Sequence, residues 1–219
     1  MITDDRSSDA VSRTLRPCGD LGLLAEVDDT AAVTALHAAL REEMTAGRLA
    51  GVADLIRGAR TVLVRMTPRA DVRAVAAVVG EIEPAPQAAS GPDRVLDIGV
   101  VYDGDDLDEV AAHTGLTVPE VVAAHTGQVW TVAFAGFAPG FGYLQGTDDR
   151  LVVPRRDESR ISVPAGAVAL AARFSGVYPR PSPGGWQLIG QTGERMWDLD
   201  RDPPALLTPG TRVRFHEEG

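Results

Sequence analysis

Three stretches of this chain combine tight backbone control with side chains able to hold a small polar molecule. The first is FAPGFGYLQG, residues 137–146, where Pro139 restrains the backbone while Gly140, Gly142 and Gly146 permit conformations closed to other residues. Phe137, Phe141, Tyr143 and Leu144 give it apolar weight. It reads either as a turn anchored by aromatics or as a pocket rim whose N–H groups face an anion or carbonyl, with Tyr143 adding a hydroxyl. The spacing is not GxGxxG, so no mononucleotide motif follows. The second stretch, PRRDESRISVPAG at 154–166, gathers Arg155, Arg156 and Arg160 in an otherwise acidic chain. A guanidinium fork suits a carboxylate or phosphate; the alternative is surface pairing with Asp157 or Glu158. The third, YPRPSPGGWQLIGQT at 178–192, stiffens at Pro179, Pro181 and Pro183 and relaxes at Gly184 and Gly185. Tyr178, Ser182, Trp186 and Gln187 there line a pocket or pack a core.

Single residues offer less. His125 shares the apolar side of a predicted helix with Val118, Val121 and Val122, so it is either a hydrogen-bonded core histidine or a proton-transfer group. No HxH or HExxH cluster marks a metal. No GxSxG elbow marks a serine nucleophile, and neither Ser162 nor Ser175 has a His-Asp arrangement nearby in sequence.

Composition removes whole classes of chemistry. The 21 basic residues are all arginine, which leaves no Schiff-base lysine, no P-loop lysine and no lysine to carry biotin or lipoate. Any ATP must be handled by arginines, backbone amides, Mg²⁺ or a partner. The formal charge of -10 works against a nucleic-acid surface, and no apolar run approaches about 18 residues, so neither nucleic acid nor a membrane is an expected partner. Cys18 is the lone cysteine, which excludes an internal disulfide and makes a reducing cytoplasm the default. The polar start, MITDDRSSDA, reads as a loose tail without the apolar core of a signal peptide.

The elements that must position these residues follow two grammars. Residues 21–27 read as a strand, and Val33, Leu36, Leu40 and Met44 recur with helical period before Gly47. Strands follow at 51–56 and 61–66, then a helix capped by Thr67, started by Pro68 and carrying Val72, Val75 and Val79 ahead of Gly80. The β-α-β-β-α order fits a small split βαβ α+β domain over residues 12–84. Residues 81–94, rich in Pro, small residues and charge, read as a linker.

Beyond a strand at 95–102, Asp105 or Asp106 can cap a first short helix, and Thr117 with Glu120 has capping-box spacing for a second ending near Gly127. The pair invites a helix-turn-helix reading, but VPEVVAAH has no Arg, Lys, Asn or Gln to read a base edge, so a packed helical insert is expected. From Val129 the chain turns to short apolar runs (VWTVAFAGF, RLVVP, RISVP, AVALAA, GWQLIG, TRVRF) divided by Gly and Pro. That punctuation predicts a small β-barrel over 94–219, because closure removes exposed sheet edges.

The motifs GFAPGFGYL, PRR...R.SVPAG and YP..SPGGWQLIG, with PCGD upstream and HTGLTVPEVVAAHTG between, resemble those of the allophanate hydrolase subunit 1 family. That family is also described as the B subunit of 5-oxoprolinase and includes an inhibitor of a sporulation histidine kinase. The resemblance runs from about Leu15 to Phe215. It implies an α+β N-terminal domain followed by a cyclophilin-like β-barrel with a short helical insert, without prolyl isomerase activity. It further implies a subunit, not active alone, of an ATP-dependent amidohydrolase that opens 5-oxoproline to glutamate. ATP with Mg would act at the level of the complex, with no covalent cofactor on this chain. The implied partners are a related barrel subunit (the C subunit of 5-oxoprolinase, or allophanate hydrolase subunit 2) and an A subunit. Carried onto this chain, the resemblance makes Pro139, Gly140, Phe141, Tyr143, Pro183, Gly184, Gly185, Trp186 and Gln187 pocket candidates, and Arg155, Arg156 and Arg160 anion-binding or domain-positioning candidates. It assigns no catalytic acid or base. At 171–179 this chain has AARFSGVYP where relatives resemble GGQTGxYP, a departure from the family pattern. The alternatives are a regulatory protein that docks on a sensor kinase and an allophanate- or urea-type amide-processing subunit.

Overall fold

The computed structural model describes residues 13–85 and 95–219, so the 1–10 tail and most of the 81–94 linker lie outside the described residues. The chain divides into two compact units, Met1–Ala88 and Ala89–Gly219.

The first unit has the strands β1 (Thr14–Pro17), β2 (Gly22–Glu26), β3 (Val52–Arg57) and β4 (Thr61–Met66) with helices α1 (Thr30–Thr45) and α2 (Val72–Glu81). The sheet order is β1-β2-β4-β3, and β4 runs antiparallel to both β2 and β3. The strands β2 and β3 therefore point the same way with α1 between them in sequence, a split βαβ arrangement. Leu23, Ala25, Leu55, Val62 and Val64 on one sheet face bury against Val33, Leu36 and Leu40 of α1 and Val75 and Val79 of α2.

Two details differ from expectation. The strand β1 escapes sequence pattern because it is four residues long, ends in Pro17 and occupies a sheet edge, where proline is tolerated. Helix α2 starts after Asp71, whose carboxylate accepts from the N–H groups of Arg73 and Ala74 at 3.0 and 3.1 Å. Thr67 and Pro68 instead form the preceding turn, closed by Ala70 N–H on Thr67 O, and Gly80 lies inside the helix.

The second unit contains β5 (Val95–Val100), α3 (Leu107–Thr114), α4 (Val118–Thr126), β6 (Trp130–Ala135), β7 (Gly142–Gln145), β8 (Arg160–Val163), β9 (Ala167–Ala171), β10 (Phe174–Val177), β11 (Ser182–Gly184), β12 (Gln187–Gln191) and β13 (Arg212–Glu217). Seven strands form one sheet, β12-β9-β10-β7-β6-β13-β5. Its outer strands meet where Val101 and Gln191 exchange two backbone hydrogen bonds of 2.9 Å, so the sheet nearly closes into a barrel. The strands β8 and β11 form a separate ribbon. Ile98, Val132, Leu144, Val168, Leu170, Ile189, Val213 and Phe215 fill the barrel, with Val110 and Val121 of the helices packed on the same core.

The α+β unit, the barrel and the helical insert are those expected from the sequence. RLVVP, however, is not a strand: Asp149–Leu151 is a 3₁₀ turn and only Val153 bridges, to Ala172. Thr117 and Glu120 form the capping box of α4. Among the described residues no helix is long and apolar enough to cross a membrane.

Candidate functional site

The stretch 137–146 is half hairpin and half strand. Its second half is β7, with Gly142 and Leu144 buried and Tyr143 half-buried on the other face. The hairpin between β6 and β7 is held by the Ala138 N–H on Gly136 O at 2.7 Å and the Phe141 N–H on Ala138 O at 2.9 Å. Gly140 sits at φ +85°, and a side chain there would meet Met196 O and Trp197 Cβ at 3.0 Å. Phe137 also has positive φ, 63°, a strained conformation for a bulky residue, and it is 57% exposed.

This hairpin faces Tyr178, just after β10, and residues 183–186, which run from β11 to the residue before β12, across a cavity of about 230 Å³. The cavity is lined by Phe137, Phe141, Tyr143, Arg155, Ser159, Tyr178, Pro183, Gly184, Gly185 and Trp186. Phe141 is its buried hub. It meets Phe137, Tyr143, Tyr178 and Trp186 edge to face, with centroids 5.1–5.4 Å apart, the preferred geometry for aromatic quadrupoles.

Burial raises the Tyr178 hydroxyl above its ordinary pKa, partly opposed by the Trp186 N–H and by Arg155. Burial likewise raises Tyr143, against the pull of Arg155. Both phenols are therefore protonated at neutral pH and can donate. With Ser159 and the Arg155 guanidinium, they present the cavity with donors for a small, oxygen-rich ligand.

Of the pocket candidates named from sequence, Phe141, Tyr143, Tyr178, Pro183, Gly184, Gly185 and Trp186 line the cavity. Pro139, Gly140 and Gln187 do not. Pro139 is exposed, Gly140 shapes the hairpin from behind, and Gln187 is fully buried with its Nε2 toward Pro154 O and Glu109. Ser182 is buried and donates to Arg180 O at 2.9 Å.

The three arginines separate. Arg155 lines the cavity, but Arg156 and Arg160 both bind Asp106, with Arg160 Nη1 and Nη2 at 2.9 and 2.8 Å from its oxygens. They are not free anion sites, and their partner is neither Asp157 nor Glu158. Asp106 stands at the N-cap of α3, but its side chain makes no bond to the helix's first turn. Burial alone would raise its pKa. The Arg160 bond, the Leu188 N–H and the two positive charges outweigh that and hold the carboxyl below its usual range. Ser159 carried no sequence signal, and Phe137 read only as packing. Asp106 read as a cap because its arginine partners lie 50 and 54 residues away.

His125 is fully buried. Its Nδ1 is 2.7 Å from the Tyr102 hydroxyl, its Nε2 is 2.9 Å from Ser175 Oγ, and its ring stacks on Phe215 at 4.5 Å. A neutral imidazole satisfies both partners, accepting from Tyr102 at Nδ1 and donating to Ser175 from Nε2. Ser175 thus does meet a histidine in space, but it is fully buried and the third member is a phenol. This is a core network, not an accessible nucleophile.

Burial depresses the His125 pKa to about 3. The unfolded chain binds a proton near pH 6.5 that the native site refuses, so stability is full above that pH and falls as acid is added toward pH 3. Between those limits the loss is about 1.4 kcal/mol per pH unit from this residue. Urea titrations at pH 6, 5 and 4 are expected to show that slope in the barrel transition, and His125→Gln is expected to flatten it. A slope unchanged by the substitution would refute the assignment.

The profile of the family described as carboxyltransferase domain, subdomain C and D, matches residues 13–207. The chain belongs to this carboxyltransferase-domain family. Among its relatives, proteins named as the B subunit of 5-oxoprolinase are 47% identical over 132 residues in Escherichia coli O157:H7 and 43% over 125 residues in Bacillus subtilis strain 168. Those matches cover 59% and 56% of this chain and 61% and 52% of the relatives, so the likeness spans little more than half of their length.

Among solved structures of this fold, that of TTHA0988 is 32% identical with a TM-score of 0.73, covering 91% of this chain and 40% of that one. The protein PH0987 from Pyrococcus horikoshii is 30% identical with a TM-score of 0.55, covering 94% of this chain and 97% of that one. The Kluyveromyces lactis urea carboxylase, at 19% identity and a TM-score of 0.78 over 95% of this chain and 22% of that one, shares the carboxyltransferase-domain fold.

Proposed function

We propose that this chain is the B-type subunit of a cytoplasmic, ATP-dependent 5-oxoprolinase, converting 5-oxo-L-proline, ATP and water to L-glutamate, ADP and phosphate together with a related C-type barrel subunit and an A subunit. The observation that carries this reading is the cavity: an aromatic slot with a guanidinium at its lip and protonated phenols inside. The relatives named as the B subunit of 5-oxoprolinase support the choice of substrate.

A five-membered lactam carboxylate presents a flat ring, a carboxylate and a carbonyl. Phe141 and Trp186 offer the ring apolar faces, and Arg155 pairs with the carboxylate. Tyr143 and Tyr178 donate to the lactam oxygen, where negative charge grows as water adds to the carbonyl carbon and the ring C–N bond breaks. The chain's part is to bind, orient and polarise.

The cavity does not fit a nucleoside triphosphate with Mg²⁺. It is small for one, and among the described residues Arg155 is its lone charged lining residue and no group of three or more His, Cys, Asp or Glu comes together to hold a metal. ATP belongs to another part of the assembly, and no step on this chain runs through it.

The test is reconstitution. Purified A, B and C subunits with ATP and 5-oxoproline are expected to release glutamate only when all three are present. Full glutamate production without this chain would overturn the proposal.

A further inference from the structure

We propose that Asp106 is a positioning residue for the cavity, a buried carboxylate that fixes the two segments carrying Arg155, Ser159 and Trp186. The inference deepens the reading of the cavity as a 5-oxoproline site and rests on it for the identity of the ligand.

Asp106 is 2% exposed and collects four donors: both terminal nitrogens of Arg160, one of Arg156, and the Leu188 N–H at 2.6 Å. Its own N–H returns a bond to Leu188 O at 3.0 Å. Arg156 in turn donates its backbone N–H to Gly185 O at 2.8 Å, and Arg160 pairs with Gly184 across the β8–β11 ribbon. One carboxylate thus joins the start of α3 to segments 155–160 and 184–188.

The cavity residues lie inside these clamped spans. Arg155 and Ser159 flank or fall between the two held arginines, and Gly184, Gly185 and Trp186 precede the held Leu188. Because Arg156 is committed to Asp106, its neighbour Arg155 is the one left to face the cavity.

Two features separate this role from helix capping. Asp106 occupies the N-cap position of α3, yet its side chain makes no bond to that helix. Glu109, near Arg156 at 3.4 Å, and Asp105, near Arg160 at 3.8 Å, add negative charge around the two arginines from more exposed positions. Removing the central anion leaves two guanidiniums poorly compensated in a partly buried site, so the segments must rearrange.

The experiment compares the full chain with Asp106→Asn, which keeps the shape and an acceptor for Leu188 but loses the charge. Hydrogen exchange reads the geometry without ligand, and calorimetric titration with 5-oxoproline reads the site. Exchange is expected to quicken about tenfold in peptides covering 155–160 and 184–188, with β5, β6 and β13 unchanged, and affinity to fall about tenfold. Arg160→Gln, which leaves Asp106 paired with Arg156, is expected to show the same pattern in weaker form and serves if Asp106→Asn does not fold.

Exchange unchanged in both segments, or raised equally through the barrel, would overturn the inference. So would wild-type affinity in a variant with loosened segments. If the segments loosen selectively but the wild-type chain binds no 5-oxoproline, the positioning role stands and the substrate assignment falls.

Discussion

Arg155→Met in the reconstituted enzyme is expected to raise the KM for 5-oxoproline by about ten- to a hundredfold with a much smaller effect on kcat. Among the described residues the guanidinium is the lone charged group lining the cavity, and the remaining polar lining groups, Tyr143, Tyr178 and Ser159, are neutral donors. A hydrogen bond to a charged group contributes about 1.5–3 kcal/mol, which is roughly the tenfold to hundredfold range in affinity. Since the carboxylate takes no part in the bond that breaks and keeps its charge throughout, its anchor serves ground state and transition state alike, and the loss belongs in KM. Arg155→Lys is expected to fall between, keeping the charge but losing the fork. Arg180, exposed and outside the cavity lining, supplies the control, and Arg180→Met should leave KM unchanged. A KM within about twofold of wild type for Arg155→Met would remove Arg155 from the site.

The second large effect concerns the seam of the barrel. Gly190→Ala is expected to destabilise the barrel by about 3 kcal/mol or more, lowering its melting temperature by on the order of 10 °C. Gly190 lies in β12, next to the register shift against β9 and beside the Val101–Gln191 pair that closes the sheet. An added Cβ would overlap Val101 O and lie 2.9 Å from Val100 Cγ1 and 3.1 Å from Tyr102 Cα. Those neighbours are largely backbone held in the ladder, so little can yield, unlike a clash with the end of a flexible side chain. Gly193→Ala, where an added Cβ meets nothing within 4 Å, is the matched control. Urea unfolding decides it, and a change below about 0.5 kcal/mol for Gly190→Ala, the usual range for surface substitutions, would contradict the closed seam.

Periodicity placed α1, α4, β4 and most barrel strands because each carries its own pattern over enough residues to be read locally. It failed for β7, β10 and β11, which are three or four residues long and rich in Gly or Pro. Such segments become strands only when a neighbour supplies the ladder, as β9 does for β10 and β8 for β11. RLVVP erred the other way, since its apolar residues pack from a 3₁₀ turn without a strand partner along most of its length.

The same division holds at the site. By itself the sequence determined the chemical inventory: arginine as the sole basic side chain besides histidine, an aromatic and glycine-rich hairpin, a proline-stiffened wall, and an α+β unit ahead of a barrel. Only the tertiary structure decided which arginine faces the cavity, that Asp106 binds the other two, that Gln187 turns away and that His125 meets Tyr102 and Ser175. The physical reason is range. Helical period, turns and capping act over a few residues, whereas a buried charge or imidazole is fixed by whichever partners barrel closure brings to it, here from 23 to 82 residues away.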